Sequence, residues 1–170
     1  KDASEVLKDT TFGPFKNSTI KVIVVDDIGD KSNSWFNEVV DYATSIGMPG
    51  IGYITLMNDG TFKGPIDKFL TDADRKSLIK KVKLKENDVL FFIADKTRYN
   101  SFASQIRTYL GEKLEFIDKN KFEFCFIVDF PMFEYDDEVE HCVFTHNPFS
   151  MPQGGMDSLI NKLPTEVLAY

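Results

Sequence analysis

The sequence predicts an α+β protein: a two-layer domain with a mostly antiparallel sheet and helices on one face, followed by further antiparallel strands. Three observations predict it. Short runs of β-branched and aromatic residues, such as Ile20-Lys-Val-Ile-Val-Val25 and Val89-Leu-Phe-Phe-Ile-Ala94, alternate with stretches whose apolar residues recur at helical spacing. One pair of strands is joined by Asn58-Asp59-Gly60, a tight hairpin that parallel strands cannot use. After Asp118-Lys-Asn120 the texture changes to an alternating run, Phe122-Glu-Phe-Cys-Phe-Ile-Val128. Helices covering one face of an antiparallel sheet are one of the few stable ways to bury both.

In order along the chain, residues 20–25 form a strand that ends in the turn-forming cluster Asp26-Asp-Ile-Gly-Asp30. A helix follows, with Ser34 as N-cap, Trp35, Val39, Ala43 and Ile46 on its buried side, and Gly47 as the left-handed stop. The glycines of Gly47-Met-Pro-Gly-Ile-Gly52 follow a helix and precede a strand. A dinucleotide-binding loop needs the reverse order, so they read as a helix stop and a close strand start. Residues 53–57 form the next strand, leading into the Asn58-Asp59-Gly60 turn. Thr71 caps a second helix, with Asp74 as the reciprocal partner of a capping box, Leu78 and Ile79 inward, and Lys80 and Lys81 at its end. Residues 89–94 are a strand. The long helix after it carries Phe102, Ile106, Leu110 and Leu114 at four-residue intervals, a core stripe. Strands over 122–128 and 139–145, separated by the acidic turn Asp136-Asp-Glu138, complete the reading.

Bulk properties narrow the function. Of the 170 residues, 42% are hydrophobic and 16 are Phe, enough to bury a core. A net charge of −7 argues against a surface that grips nucleic acid throughout, because phosphate contacts come from clustered Lys and Arg. The best basic cluster, Lys80, Lys81, Lys83 and Lys85, closes a helix, where it complements the helix dipole as a solvated end. Two cysteines and no long apolar span fit a reducing, cytoplasmic location with no membrane partner. The chain begins at Lys1 and stops at Tyr170 without a closing signal, so both ends are expected to be cuts in a longer polypeptide.

Two sets of segments carry a family resemblance. Phe126-Ile-Val-Asp-Phe-Pro-Met-Phe-Glu134 with Thr145-His-Asn-Pro-Phe-Ser150 resembles paired strands of the catalytic domain of bacterial-type aspartyl-tRNA synthetases, which are class II enzymes. Gly60-Thr-Phe-Lys-Gly-Pro-Ile-Asp-Lys-Phe-Leu70 and Asn87-Asp-Val-Leu-Phe-Phe-Ile-Ala-Asp-Lys96 resemble the GAD domain inserted in those enzymes, a DCoH-like two-layer fold. The resemblance runs in the family's order from about Phe12 to Pro152. It implies a linker from an upstream catalytic domain over residues 1–11, the GAD insertion domain over 12–112, and a partial class II catalytic domain over 113–170.

The same resemblance implies a parent enzyme that joins L-aspartate to tRNA(Asp), with tRNA(Asn) left open, through an aspartyl-adenylate. It would use ATP and Mg2+ and act as a homodimer. His146 matches the first His of the family's His-His-Pro-Phe segment, which lies in the amino acid pocket, so the resemblance makes it an L-aspartate contact. Asn147 stands where the second His usually sits. An imidazolium near a carboxylate is physically sound; read without the resemblance, His146 would be a strand-end His making a local hydrogen bond. No catalytic residue is assigned. The chain's three arginines, Arg75, Arg98 and Arg107, all precede the second domain, and the family's motif 2 and motif 3 arginines have no counterpart here. The fragment is therefore expected to be inactive, monomeric and without cofactors of its own.

Other chemistries fit less well. A zinc site from Cys125, His141, Cys142 and His146 fails to converge, because neighbours on a strand face opposite ways and Cys142 and His146 would sit about 13 Å apart. A Cys125–Cys142 disulfide does not suit a cytoplasmic protein. The acidic group around residues 136–140 lacks calcium-loop spacing and reads as a hairpin tip. Two readings of another class remain open: a non-catalytic GAD-type binding module, as in an archaeal tRNA-dependent amidotransferase subunit, and a small-molecule sensor of similar build.

Overall fold

The structure is a computed structural model that describes residues 1–136, 138–145 and 149–170. It contains two compact units, Lys1–Asp118 and Lys119–Tyr170. The first holds β1 (Thr19–Val25), α1 (Asn33–Ser45), β2 (Gly52–Leu56), β3 (Phe62–Lys63), α2 (Asp72–Val82), β4 (Val89–Asp95) and α3 (Tyr99–Lys113). Its four strands form one sheet in the order β1-β4-β2-β3, and every neighbouring pair is antiparallel. Residue by residue, Thr19 to Val25 face Asp95 to Val89.

β4 explains the layering. It lies between two strands and is apolar on both sides, so both faces of the sheet must be covered. Val89, Phe91 and Ile93 pack with Phe36, Val39 and Ala43 of α1 and Phe102, Ile106 and Leu110 of α3. The alternate residues Leu90 and Phe92 pack with Leu78 and Val82 of α2. The expected helices on one face are thus α1 and α3, and α2 adds a layer on the other. Residues 1–11, expected as a linker, join that added layer: Ala3 and Leu7 are fully buried there, and Ala3 N–H donates to the Ile20 carbonyl at 2.8 Å.

Local chemistry sets the element ends. α1 is capped by Ser32 rather than Ser34: the Ser32 hydroxyl accepts from Trp35 N–H at 3.2 Å, and Ser34 lies inside the helix. The buried stripe accordingly runs through Phe36, Val39 and Ala43, leaving Trp35 only partly buried. Gly47 follows with φ +84°, as its place after the helix requires. Thr71 and Asp74 form the expected capping box on α2, and Lys83 ends that helix in the left-handed region. Between β2 and β3, Thr61 N–H donates to Asp59 at 2.9 Å and Gly60 takes φ +79°. Asp88, only 2% exposed, anchors the start of β4 by accepting from the backbone N–H groups of Asp27 (3.2 Å) and Lys85 (2.8 Å).

The second unit pairs β5 (Phe130–Pro131) with β8 (Leu168–Ala169), and β6 (Phe133–Asp136) with β7 (His141–Phe144), all antiparallel. A short helix, α4 (Gly155–Asn161), lies between β7 and β8 in the chain. Met132, Val167 and Ala169 form its small core, with Phe133 against them. The strand expected over residues 122–128 is corrected: these residues belong to no strand, and Phe124 and Phe126 are each 98% exposed. Their alternation provides two faces, but a strand also needs a ladder partner, and none exists among the described residues. The partner of β7 is instead β6, across the acidic turn.

Candidate functional site

Of the two segments that carry the catalytic-domain resemblance, the first reaches the start of the second at Thr145. In the β6–β7 ladder Phe133 faces Phe144, with their ring centroids 4.7 Å apart. Thr145 then ties the strand end back to the chain before β6: its N–H donates to the Met132 carbonyl at 3.2 Å and its hydroxyl donates to the Pro131 carbonyl. His146, the residue expected to contact L-aspartate, lies outside the described residues, as do Asn147 and Pro148.

Sequence reasoning missed Gln153. Its side-chain amide donates to the Asp129 carboxylate at 3.1 Å and to the Ala169 carbonyl at 3.0 Å, while its backbone N–H donates to the Leu168 carbonyl at 2.8 Å. Asp129 adopts φ +55° and receives this bond just before β5. The pair braces β5 against β8. No periodicity marks such a contact, because it links residues 24 positions apart.

Among the described residues no group of three or more His, Cys, Asp and Glu side chains is placed to hold an ion. Cys125 is exposed, Cys142 is half-buried, and both are free. The His141 Nδ1 lies 2.7 Å from the Val139 carbonyl, a local contact. Arg75 is committed to Asp67 and Asp72, and Arg98 lies over the Phe102 ring, 4.5 Å from its centroid. Residues 119–170 contain no arginine at all. The hydrogen bond from Arg75 to Asp67 raises the guanidinium pKa further above its usual value.

The first unit holds a concave site that the sequence did not suggest. A cleft of about 430 Å³ opens between the N-terminal segment, the chain leading into β2 and the loop after β3. Phe92 and Ala94 of β4 and Gly52 of β2 line its interior side. Aromatic rings run from mouth to floor: Phe69 and Phe12 have centroids 4.7 Å apart, Phe12 and Phe15 4.8 Å, and Phe15 and Phe92 5.5 Å. Exposure falls along the same path, from half-buried Phe69 and Phe12 to Phe92 at 1%. Gly52 is required here, since a Cβ would lie 2.4 Å from Ile66 Cγ1. Pro14, Pro49, Pro65 and Lys68 are exposed lining residues of the same cleft.

Comparison with known proteins matches the family model of the GAD domain to residues 15–103, just over half of the chain. The chain belongs to the GAD domain family. The matched residues take in all four strands of the GAD sheet, α1, α2 and the start of α3. Beyond them, the chain is 40% identical over 178 residues to an aspartate–tRNA(Asp/Asn) ligase of Ehrlichia ruminantium, covering 99% of this chain and 30% of that protein. It is equally similar to ligases of the same name from Zymomonas mobilis, at 40% over 175 residues, and from a Wolbachia of Brugia malayi, at 40% over 176. In each case 99% of this chain and 29% of the relative are covered. The chain therefore spans about 30% of the length of the curated relatives it matches. No helix among the described residues is long and apolar enough to cross a membrane.

Proposed function

We propose that the chain is the GAD-bearing segment of a bacterial-type aspartate–tRNA ligase, which attaches L-aspartate to tRNA through an aspartyl-adenylate at the expense of ATP. One observation carries the reading: similarity at about 40% identity runs through 99% of the chain, across the GAD unit and the second unit alike. A free-standing GAD module of another class would account for the first unit only. In this reading residues 12–112 are the GAD insertion and 113–170 part of the class II catalytic domain. Residues 1–11 connect from upstream while packing on the GAD sheet.

His146 is then a contact of L-aspartate, and Asn147 stands where the family's second His usually sits. ATP and Mg2+ are held by parts of the longer protein outside this chain, consistent with the committed arginines described above. The longer enzyme is a cytoplasmic homodimer acting on tRNA(Asp), and the relatives' names make tRNA(Asn) the second substrate to test. The isolated chain is catalytically inactive and monomeric in dilute solution.

The purified chain, mixed with ATP, Mg2+, labelled pyrophosphate and L-aspartate, should show no exchange above background. Robust aspartate-dependent exchange by this chain alone would refute the assignment of the phosphate-handling groups to other parts of the protein.

A further inference from the structure

We propose that the apolar cleft of the GAD unit binds a small amphipathic monocarboxylate, its apolar body laid along Phe12, Phe15 and Phe92 and its carboxylate at Lys68. The inference is independent of the ligase reading, because every residue it uses lies in the first unit.

Size and lining come first. A volume of about 430 Å³ lies within the range of small-molecule sites. The aromatic path from half-buried Phe69 to Phe92 supplies a continuous apolar wall for a planar or branched body. Three prolines on the lining, Pro14, Pro49 and Pro65, hold the backbone in fixed φ, so little ordering is needed when a ligand enters.

Charge selects the ligand class. Lys68 is the one ionisable residue among those lining the cleft, and its ammonium sits 5.1 Å from the Phe69 ring centroid, beside the aromatic path. The adjacent carboxylate, Asp67, is already engaged by Arg75, whose Nε donates to it at 2.8 Å. Lys68 makes no ion pair among the described residues, which leaves it able to receive one from outside. The prolines also argue against an extended peptide. Docking by strand addition requires free backbone N–H groups, and proline has none.

The test is a titration of the isotope-labelled full chain with 3-phenylpropionate, and with the neutral alcohol 3-phenylpropan-1-ol as its uncharged counterpart, followed by amide chemical shifts. Saturable shifts at Gly50, Gly52, Lys68 and Phe69 are expected for the acid, with weaker binding of the alcohol at the same residues. Lys68→Met, a change at an exposed position that leaves the fold intact, should weaken the acid about 5- to 10-fold and leave the alcohol unchanged. Three results would each overturn the proposal: no saturable shift at these amides, shifts confined to the exposed residues 122–128, or equal binding of acid and alcohol with no effect of Lys68→Met.

Discussion

Replacing Asp88 by Ala should be among the most damaging single changes to the GAD unit, although the residue touches no ligand site. Asp88 is 2% exposed, and its two carboxylate oxygens accept separately from Asp27 N–H at 3.2 Å and Lys85 N–H at 2.8 Å. It thereby fastens the turn after β1 and the turn after α2 to the chain just before β4. Truncation leaves both donors without their acceptor, at about 1–3 kcal/mol each when buried. Their neighbours Asp27 and Lys85 are exposed, so water recovers part of this, and the net loss should be about 3 kcal/mol. Asp88→Asn keeps one oxygen acceptor and should lose about 2 kcal/mol. The single tryptophan, Trp35, lies in α1, so its fluorescence follows unfolding of this unit alone. Urea titration should show the two losses in that order, and a thermal scan should show the Ala variant melting about 12 °C lower. A loss below about 1 kcal/mol for Asp88→Ala would refute the reasoning.

Further outcomes follow from other contacts. Gly52→Ala places a Cβ 2.4 Å from Ile66 Cγ1, and Ile66 is 2% exposed, so urea unfolding should register a loss of about 2 kcal/mol. Gly64→Ala should cost more, because φ is +144° there and the new Cβ would meet the Tyr53 carbonyl oxygen at 2.4 Å. Asp2 has its carboxyl pKa lowered from 3.8 to about 2 by the Ser4 backbone N–H, with Lys21 3.0 Å away. A lowered folded-state pKa means that its stabilisation is complete above about pH 4 and disappears as pH falls towards 2. Because the side chain is 48% exposed, the contribution is about 1 kcal/mol, so Asp2→Asn should lower stability by that amount at pH 6 and by almost none at pH 2. Phe124 and Phe126 are each 98% exposed in an alternating segment, so sedimentation should show association of the isolated chain at high concentration, relieved by Phe124→Asp with Phe126→Asp.

Local signals were readable where a few neighbouring residues decide the outcome. The Thr71–Asp74 box, the Asn58-Asp59-Gly60 turn and the Gly47 stop each depend on chemistry within four residues, and each stands where the sequence placed it. The cap of α1 was misplaced at Ser34, since that residue also precedes the apolar residues of the helix and only the hydrogen bond from Trp35 N–H marks Ser32. Long-range features were not legible. Ala3 and Leu7 carry no periodic pattern, so nothing in residues 1–11 announces that they are buried under the sheet. The alternation of 122–128 is real, yet whether it becomes a strand depends on a partner that sequence pattern cannot supply. The aromatic cleft assembles from segments around residues 12, 50, 66 and 92, and Lys68 gains meaning only because Asp67 is taken by Arg75.

The most direct test of the central claim uses the complete protein that contains this chain. With ATP and Mg2+, it should catalyse pyrophosphate exchange that depends on L-aspartate, and His146→Ala should raise the aspartate KM far more than the ATP KM. Exchange that is absent, or that depends on a different amino acid, would contradict the account.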